Sequence, residues 1–185
     1  MRYRPLQAPF FSCPKLLQAV QKEVASYPRT DPHIVEREWL GALYKHKIEN
    51  GFSKQVVVAP SHPKVGLGLF TSEAIRSGEY VIEYTGEVER YRFLRLRRND
   101  YLGEYTVGAH YPVRFVINAE ESGNASRYIN HSDTPNLRCI TVIVSGLLRV
   151  IFLALCDIQI GQELTFDYGE AYWKWRLGKR ININN

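Results

Sequence analysis

The sequence predicts an α+β protein that is mainly β, with a helical N-terminal segment. Two observations support this. Apolar residues recur at helical spacing in residues 1–55, and the chain beyond consists mostly of short β-branched and aromatic runs separated by Gly, Pro, Asn and Ser. A chain of 185 residues suits one domain with a small extra lobe. The expected division is a helical segment over 1–55, a β-rich body over 56–170 and a tail over 171–185.

The first predicted helix lies in "PKLLQAVQKEVASY" and begins at Pro14. Proline is favoured in the first helical turn, because the missing N–H would have no partner there. Four apolar side chains then fall on one face, which we expect to be buried: Leu16, Val20, Val24 and Tyr27.

The second predicted helix lies in "DPHIVEREWLGALYKHKIEN". Asp31–Pro32 supplies an N-cap and a first-turn proline, and Asn50–Gly51 is a stop signal. The apolar stripe of this helix is predicted to consist of Val35, Trp39 and Leu43. The two helices could buttress the body or form a face for a homo-oligomer.

The rest of the chain is predicted to form many short strands. They lie in the segments "KQVVVAP", "GLGLFTS", "EYVIEYTGEV", "RFVINAE", "LRCITVIVS", "LRVIFLALC" and "ELTFDYG". One more short helix is predicted in "ERYRFLRLRRNDYL".

Composition excludes several classes of protein. The formal net charge of +5 permits an anionic partner but does not require one. The three cysteines lie far apart without a CxxC, which argues against a disulfide framework or a thiolate zinc site. No apolar run approaches the roughly 18 residues of a membrane span, and the N-terminus does not resemble a signal peptide. We therefore expect no membrane association and an intracellular location, cytoplasmic or nuclear.

Taken singly, the local motifs are weak. Gly66 and Gly68 lack the third glycine and the following helix of a dinucleotide fingerprint, so alone they indicate only a turn. No P-loop, HExxH or ordered Ser-His-Asp set occurs. The arginine-rich run 90–98 fits either a solvated helix face or a nucleic-acid groove.

Their order is more informative. Gly-x-Gly at 66–68 is followed by "YTGE" at 84–87, "INAEESGNASRYINHSDTPN" at 117–136 and "GQELTFDYG" at 161–169. Over residues 55–175 the chain resembles SET-domain protein lysine methyltransferases, and the pairing of "RYINHS–PN" with "ELTFDYG" is the specific part of the resemblance.

The resemblance implies the SET-domain fold of small curved sheets, with a knot-like threading of the C-terminal "ELTFDYG" segment near "NHS". It also implies transfer of a methyl group from S-adenosylmethionine to a lysine of a histone or histone-like basic protein. In the family the two substrates enter from opposite sides and meet in a narrow channel. Nucleic acid would be at most an indirect partner that brings the enzyme to chromatin.

Three catalytic positions carry over from the family. Tyr168 resembles the catalytic tyrosine, Tyr84 resembles a second channel tyrosine, and Phe166 occupies the position that influences how many methyl groups are added. Because Phe leaves more room than Tyr, we expect di- or trimethylation.

The cofactor-binding positions carry over in the same way. The backbone from Lys64 through Gly66 and Leu67 to Gly68 resembles one wall of the cofactor site. Further expected contacts are Tyr105, Arg127, the Asn130 side chain, the His131 backbone and Tyr168.

The sequence departs from the family where zinc would be bound. Asp133 replaces the cysteine of the frequent "NHSCxPN", and no cysteine follows Cys156. No cysteine cluster precedes the domain either, so we expect no zinc and a stand-alone type, as in bacterial (chlamydia-like) or viral members. Tyr172, Trp173 or Trp175 in the tail could close the cofactor pocket by stacking on adenine, or simply pack on the body.

Two other functions fit the same residues: a catalytically inactive SET-fold interaction module, or a basic nucleic-acid-binding protein that uses the arginines at 90–98.

Overall fold

The computed structural model describes residues 3–92, 99–108 and 111–174. Its helices are α1 (Pro14–Ser26), α2 (Pro32–Glu49) and α3 (Glu170–Lys174), with a 3₁₀ helix at Ala125–Tyr128. The strands are β1 (Arg4–Pro5), β2 (Phe10–Phe11), β3 (Val56–Pro60), β4 (Leu67–Thr71), β5 (Tyr80–Tyr84), β6 (Glu87–Arg90), β7 (Leu102–Glu104), β8 (Phe115–Asn118), β9 (Ser122–Gly123), β10 (Asn130–His131), β11 (Leu137–Val144), β12 (Leu147–Ala154) and β13 (Thr165–Phe166). The predicted α+β, mainly β class is confirmed.

Helix α1 forms as the sequence predicts. Pro14 lies in its first turn, and the chain leaves the helix at Tyr27 in an extended conformation. The predicted face is the buried one, since Leu16, Val20, Val24 and Tyr27 all belong to the core.

Helix α2 also begins and ends where the sequence predicts. At its start, the Asp31 side chain accepts a hydrogen bond of 2.8 Å from the backbone N–H of His33. The predicted apolar stripe lies on the exposed side of this helix. Val35, Trp39 and Leu43 are 48%, 63% and 57% exposed. The residues that face inward instead are Ile34, Leu40, Gly41 and Ile48. Helix α2 has two apolar faces at helical spacing, and periodicity cannot decide which of them packs.

Gly41 shows how the buried face of α2 packs. A Cβ atom at this position would collide with the carbonyl oxygen of Ile143 in β11. Glycine therefore lets the helix backbone approach the strand backbone directly, which no other residue would allow.

The strands form four sheets. The largest has the order β10-β13-β11-β12-β5, and a four-stranded sheet has the order β2-β6-β8-β7. The remaining two are the pairs β1-β9 and β3-β4. In the four-stranded sheet β6 and β7 both pair antiparallel with β8.

The first residues of the chain contain two short strands that the sequence did not predict. β1 pairs parallel with β9 and β2 pairs parallel with β6. Two-residue strands have no periodicity to detect, so only their partners identify them.

The chain divides into two compact units, each built from three separate stretches of sequence. The first unit comprises 1–52, 83–124 and 140–151, and the second comprises 53–82, 125–139 and 152–185. The N-terminal helices therefore share a unit, and a hydrophobic core, with β6, β8 and part of β12. The helix predicted over residues 89–102 is wrong at both ends, because Glu89 and Arg90 belong to β6 and Leu102 begins β7. Its middle, residues 93–98, lies outside the described residues.

The first unit contains a buried ion pair. Arg149 donates through Nη2 to Glu83 Oε2 at 2.6 Å and through Nε to Glu83 Oε1. Burial raises the pKa of Glu83 to about 7, while the hydrogen bond and charge of Arg149 act in the opposite direction.

No helix among the described residues is long and apolar enough to cross a membrane.

Replacing Gly41 by Ala should destabilise the protein although alanine is the better helix former. Helix propensity favours Ala by about 1 kcal/mol, but the collision with Ile143 must be relieved by moving backbone, and overpacking costs about 1–3 kcal/mol or more. Chemical denaturation measures the free energy of unfolding. Ala42→Gly is the matched control on the exposed side and should lose only the propensity difference. A more stable Gly41→Ala variant would contradict the close approach.

Candidate functional site

The candidate site is organised by the two-residue strand β13, which lies between β10 and β11 in the largest sheet. β13 is parallel to both neighbours, with Asn130 opposite Thr165, and His131 and Leu137 both opposite Phe166. The C-terminal segment is thus inserted beside the Asn130–His131 strand, as the family resemblance implies. The insertion brings "INH" and "TFDY" together although they are distant in sequence.

Asn136 holds β13 in this position. Its Nδ2 donates to the backbone carbonyl of Glu163 at 2.8 Å, and its Oδ1 accepts from the backbone N–H of Thr165 at 2.9 Å. One amide side chain therefore satisfies a donor and an acceptor of the inserted segment. In the sequence, the place of Asn136 after Pro135 in "TPN" is the signal that marks this residue.

The hairpin of β3 and β4 supplies the expected wall residues. Gly66 adopts a positive φ of 83°, and its carbonyl accepts from the backbone N–H of Ser61 at 2.8 Å. Lys64 lies in the turn, while Leu67 and Gly68 begin β4 opposite Pro60 and Ala59.

Asn130 connects this hairpin to the inserted segment. Its Nδ2 donates to the Leu67 carbonyl at 3.0 Å and to Glu163 Oε1 at 2.8 Å. The Asn130 side chain, which the family resemblance assigns to the cofactor site, therefore directly contacts the backbone wall formed by residues 64–68.

Glu163 is a site residue that the sequence analysis missed. Its Oε2 accepts from Ser61 Oγ at 2.7 Å and its Oε1 accepts from Asn130, so one carboxylate joins three segments. A Cβ at Gly68 would collide with this carboxylate and crowd the Ser61 Cβ, so a side chain there would have to displace Glu163 from its hydrogen bonds. The sequence indicates only a strand entry at Glu163, because nothing local marks a glutamate as a connecting residue.

His131 is buried and held from both ring nitrogens. The backbone N–H of Tyr168 donates to Nδ1 at 3.2 Å, and Nε2 lies 3.2 Å from Asp133 Oδ1. Because Nδ1 accepts, these contacts assign the ring hydrogen to Nε2. Asp133, which occupies the family's cysteine position, therefore orients the ring.

Tyr168 lies at the centre of an aromatic cluster. Its hydroxyl donates to the Ile129 carbonyl at 2.8 Å. Its ring centroid lies 4.7 Å from those of Phe166 and Tyr172, and Trp173 stacks on it at 5.9 Å with an interplanar angle of 11°. The phenol oxygen is therefore fixed both by a hydrogen bond and by packing.

The tail aromatics pack on the body in this structure. The ring centroid of Trp173 lies 4.8 Å from that of His131, and Tyr172 contacts Tyr168 and Trp173. Packing was one of the two alternatives for these residues, and it places both rings beside the expected cofactor strand. Trp175 and the remainder of the tail lie outside the described residues.

Three expected site residues remain. Arg127 lies on the 3₁₀ helix that leads into β10, with its guanidinium 5.4 Å from the Tyr128 ring centroid. Tyr84 belongs to the first unit, where its hydroxyl donates to the Tyr101 carbonyl at 2.7 Å.

Tyr105 also belongs to the first unit, where it is fully buried in the core and donates to the Leu148 carbonyl. Burial raises the pKa of its hydroxyl, which therefore remains a donor. This environment favours a structural role, so we leave Tyr105 out of the cofactor contacts proposed below.

No group of His, Cys, Asp and Glu in the part of the chain that the structure describes could hold a metal ion.

Comparison with known proteins gives concordant matches. Residues 66–169 match the SET domain family. The histone-lysine N-methyltransferase, H3 lysine-4 specific, of Schizosaccharomyces pombe is 38% identical over 119 residues, which is 62% of this chain and 13% of that protein.

Two solved structures are similar as well. PRC2 of Chaetomium thermophilum in an autoinhibited conformation bound to S-adenosylmethionine matches with a TM-score of 0.58 and 30% identity, over 76% of this chain and 19% of that one. KRYPTONITE in complex with mCHH DNA, an H3(1–15) peptide and SAH matches with a TM-score of 0.54 and 34% identity, over 70% and 25%.

The chain therefore spans only a small part of the length of each of these proteins. The family match covers more than half of the chain and contains β13, Asn130 and Tyr168. The chain belongs to the SET-domain family.

Proposed function

We propose that this protein is an S-adenosylmethionine-dependent protein-lysine N-methyltransferase that acts on a histone or histone-like basic protein. The observation that carries the proposal is the fixed phenol oxygen of Tyr168, held by the Ile129 carbonyl beside the Asn130–His131 strand. The relatives support it, since they are named as histone-lysine methyltransferases and one solved neighbour binds S-adenosylmethionine.

The donors and acceptors of the site fit this cofactor. S-adenosylmethionine has an ammonium, a carboxylate and an adenine, and supplies a methyl group on a positively charged sulphur. Both N–H groups of Asn130 are engaged by Leu67 and Glu163, so its Oδ1 can accept from the ammonium. The adjacent Glu163 carboxylate favours a positive charge at the same place.

The remaining contacts would come from the residues around Asn130. The backbone from Lys64 to Gly68 and the His131 backbone would bind polar groups of the cofactor, with Arg127 near them. Trp173 and Tyr172 would lie against the adenine, because their rings already pack beside His131.

The aromatic cluster would lower the pKa of the substrate lysine amine. A free lysine amine has a pKa of about 10.4 and must lose a proton before it can attack a methyl group. The rings of Phe166 and Tyr168 disfavour the ammonium form by desolvation, and solvent can take the proton, so no protein base is needed. The amine lone pair then forms the new C–N bond as the C–S bond breaks.

Tyr168 would orient that amine. Since its hydroxyl hydrogen is given to the Ile129 carbonyl, its oxygen lone pairs remain to receive the amine N–H and to face the methyl group. Most of the acceleration would come from this alignment and from fixed dipoles. Tyr84 is proposed as the second channel tyrosine.

With a histone as substrate, the protein would act on chromatin in a nucleus or a host nucleus. A basic peptide needs acidic side chains near its path, and Glu83 is unsuited because it is buried against Arg149.

Label transfer from methyl-labelled S-adenosylmethionine tests the activity, with histones and basic nucleoid proteins offered to the wild type and to Tyr168→Phe. Removing one preorganised polar group costs about 100–1,000-fold in kcat, and we expect a loss of that size. Circular dichroism must show the same fold for both proteins. Near-wild-type turnover by folded Tyr168→Phe would refute the role of Tyr168. Cofactor binding without transfer to any protein would favour an inactive module.

Asn130→Ala should weaken cofactor binding by removing the acceptor for the ammonium. Loss of a buried hydrogen-bonding partner costs about 1–3 kcal/mol, which corresponds to roughly 5- to 150-fold in Kd. Glu163→Gln should weaken binding in the same direction, since it removes the charge but keeps the shape. Calorimetry with S-adenosylmethionine measures both, with the exposed Glu49→Gln as control. Unchanged affinity in both site variants would contradict the proposed cofactor site.

Phe166→Tyr should lower the number of methyl groups that the enzyme adds. Phe166 packs between Phe152 and Tyr168, and a new hydroxyl would take space beside the Tyr168 oxygen. Mass spectrometry under excess cofactor should show di- or trimethyl-lysine with the wild type and mainly monomethyl-lysine with the variant. A wild type that stops at one methyl group would refute the expectation.

A further inference from the structure

The exposed side of helix α2 carries an apolar strip made of Val35, Trp39 and Leu43, hereafter the α2 strip. Each of the three side chains is about half exposed or more, and Trp39 reaches 63%. Single exposed apolar residues are ordinary on a protein surface, but a contiguous strip centred on tryptophan is typical of an interaction site.

The strip has the geometry of a helix-packing surface. Its residues lie four apart, so they follow one ridge along a helix of 18 residues, which is about 27 Å long. Ala42 is exposed on the same side of the helix and lies between Trp39 and Leu43 in the sequence. A small residue there allows the backbone of another helix to come close.

The charges beside the strip are acidic in the N-terminal half and basic at Lys45 and Lys47, with Glu49 following as the partner of Lys45. Glu36 and Glu38 lie in the N-terminal half, whereas Lys45 and Lys47 lie in the C-terminal half. A second copy laid parallel would place like charges together. A second copy laid antiparallel would place each acidic half against a basic half.

In one antiparallel register, the charges on both sides of the strip lie opposite charges of the other sign. At 100° per residue, Glu36 and Lys47 lie on one side of the strip and Glu38 and Lys45 lie on the other. When the helices cross near Ala42, Glu36 lies opposite Lys47 of the second copy and Glu38 lies opposite Lys45. Two-fold symmetry forms each pair twice. In the same register Trp39 lies against Leu43 of the second copy.

We propose that the α2 strip binds a second copy of this chain, antiparallel across a two-fold axis near Ala42. Two of the four charges that would form the new ion pairs now make exposed ion pairs within the chain, and Lys47 lies over the Phe52 ring, with 5.4 Å from its Nζ to the ring centroid. Glu38 pairs with Arg29 at 2.5 Å and Lys45 with Glu49 at 3.8 Å. Exposed pairs of this kind contribute little to stability, so they can rearrange on association.

The dimer should be weak, because one helix pair gives an interface at the small end of specific contacts. Sedimentation equilibrium of the whole chain from about 1 to 500 µM tests it, and we expect dissociation in roughly the micromolar range. Trp39→Ala should raise the dissociation constant at least tenfold. Ile160→Ala is the matched control, since Ile160 is 68% exposed but lies in the second unit.

Charge exchange tests the register independently of Trp39. Glu38→Lys and Lys45→Glu should each weaken the dimer several-fold, and the two together should restore it. A wild type that stays monomeric up to 500 µM overturns the proposal. So does a dimer that Trp39→Ala leaves unchanged, or that Ile160→Ala weakens equally. Failure of the double variant to recover would refute the antiparallel pairing, and circular dichroism would check that each variant is folded.

Discussion

The candidate site depends on the insertion of β13 between β10 and β11. A parallel strand of two residues forms only a short ladder, and the Asn136 side chain adds two hydrogen bonds to the inserted segment. Once β13 is fixed, Phe166 and Tyr168 must lie beside the Asn130–His131 strand. The tyrosine hydroxyl then reaches the Ile129 carbonyl. The Asn136 amide therefore helps to set the geometry that a catalyst would need, together with the backbone hydrogen bonds from Leu164 to Leu69 and from Ser132 to Phe166.

The Glu163 carboxylate is the second constraint, and it joins structure to the proposed chemistry. It accepts from Ser61 and Asn130 and occupies the space that Gly68 leaves open. These bonds fix Asn130, whose remaining oxygen is proposed to hold the cofactor's ammonium. A residue of this kind both stabilises the fold and sets the charge of the site, so its substitution affects both properties.

Helix α2 illustrates how one element can have two apolar faces with different uses. The inner face packs through Gly41 onto the backbone at Ile143, and that contact fixes the rotation of the helix about its axis. The outer face is then left exposed with Trp39 at its centre. The strip is exposed because the opposite side of the helix packs against the strand, where Gly41 lets the two backbones approach each other closely.

Local patterns were enough to predict the ends of α1 and α2, most of the strands and the order of motifs that identifies the family, because caps, alternation and short motifs depend on neighbouring residues. The same patterns pointed to Asn130, His131 and Tyr168. The face of α2 that packs, the strands near Arg4 and Phe10 and the burial of Tyr105 became evident from the folded chain. The folded chain alone revealed Asn136 and Glu163, since their partners lie 27 to 102 residues away. Such contacts depend on how distant segments meet, and local sequence patterns carry no information about that.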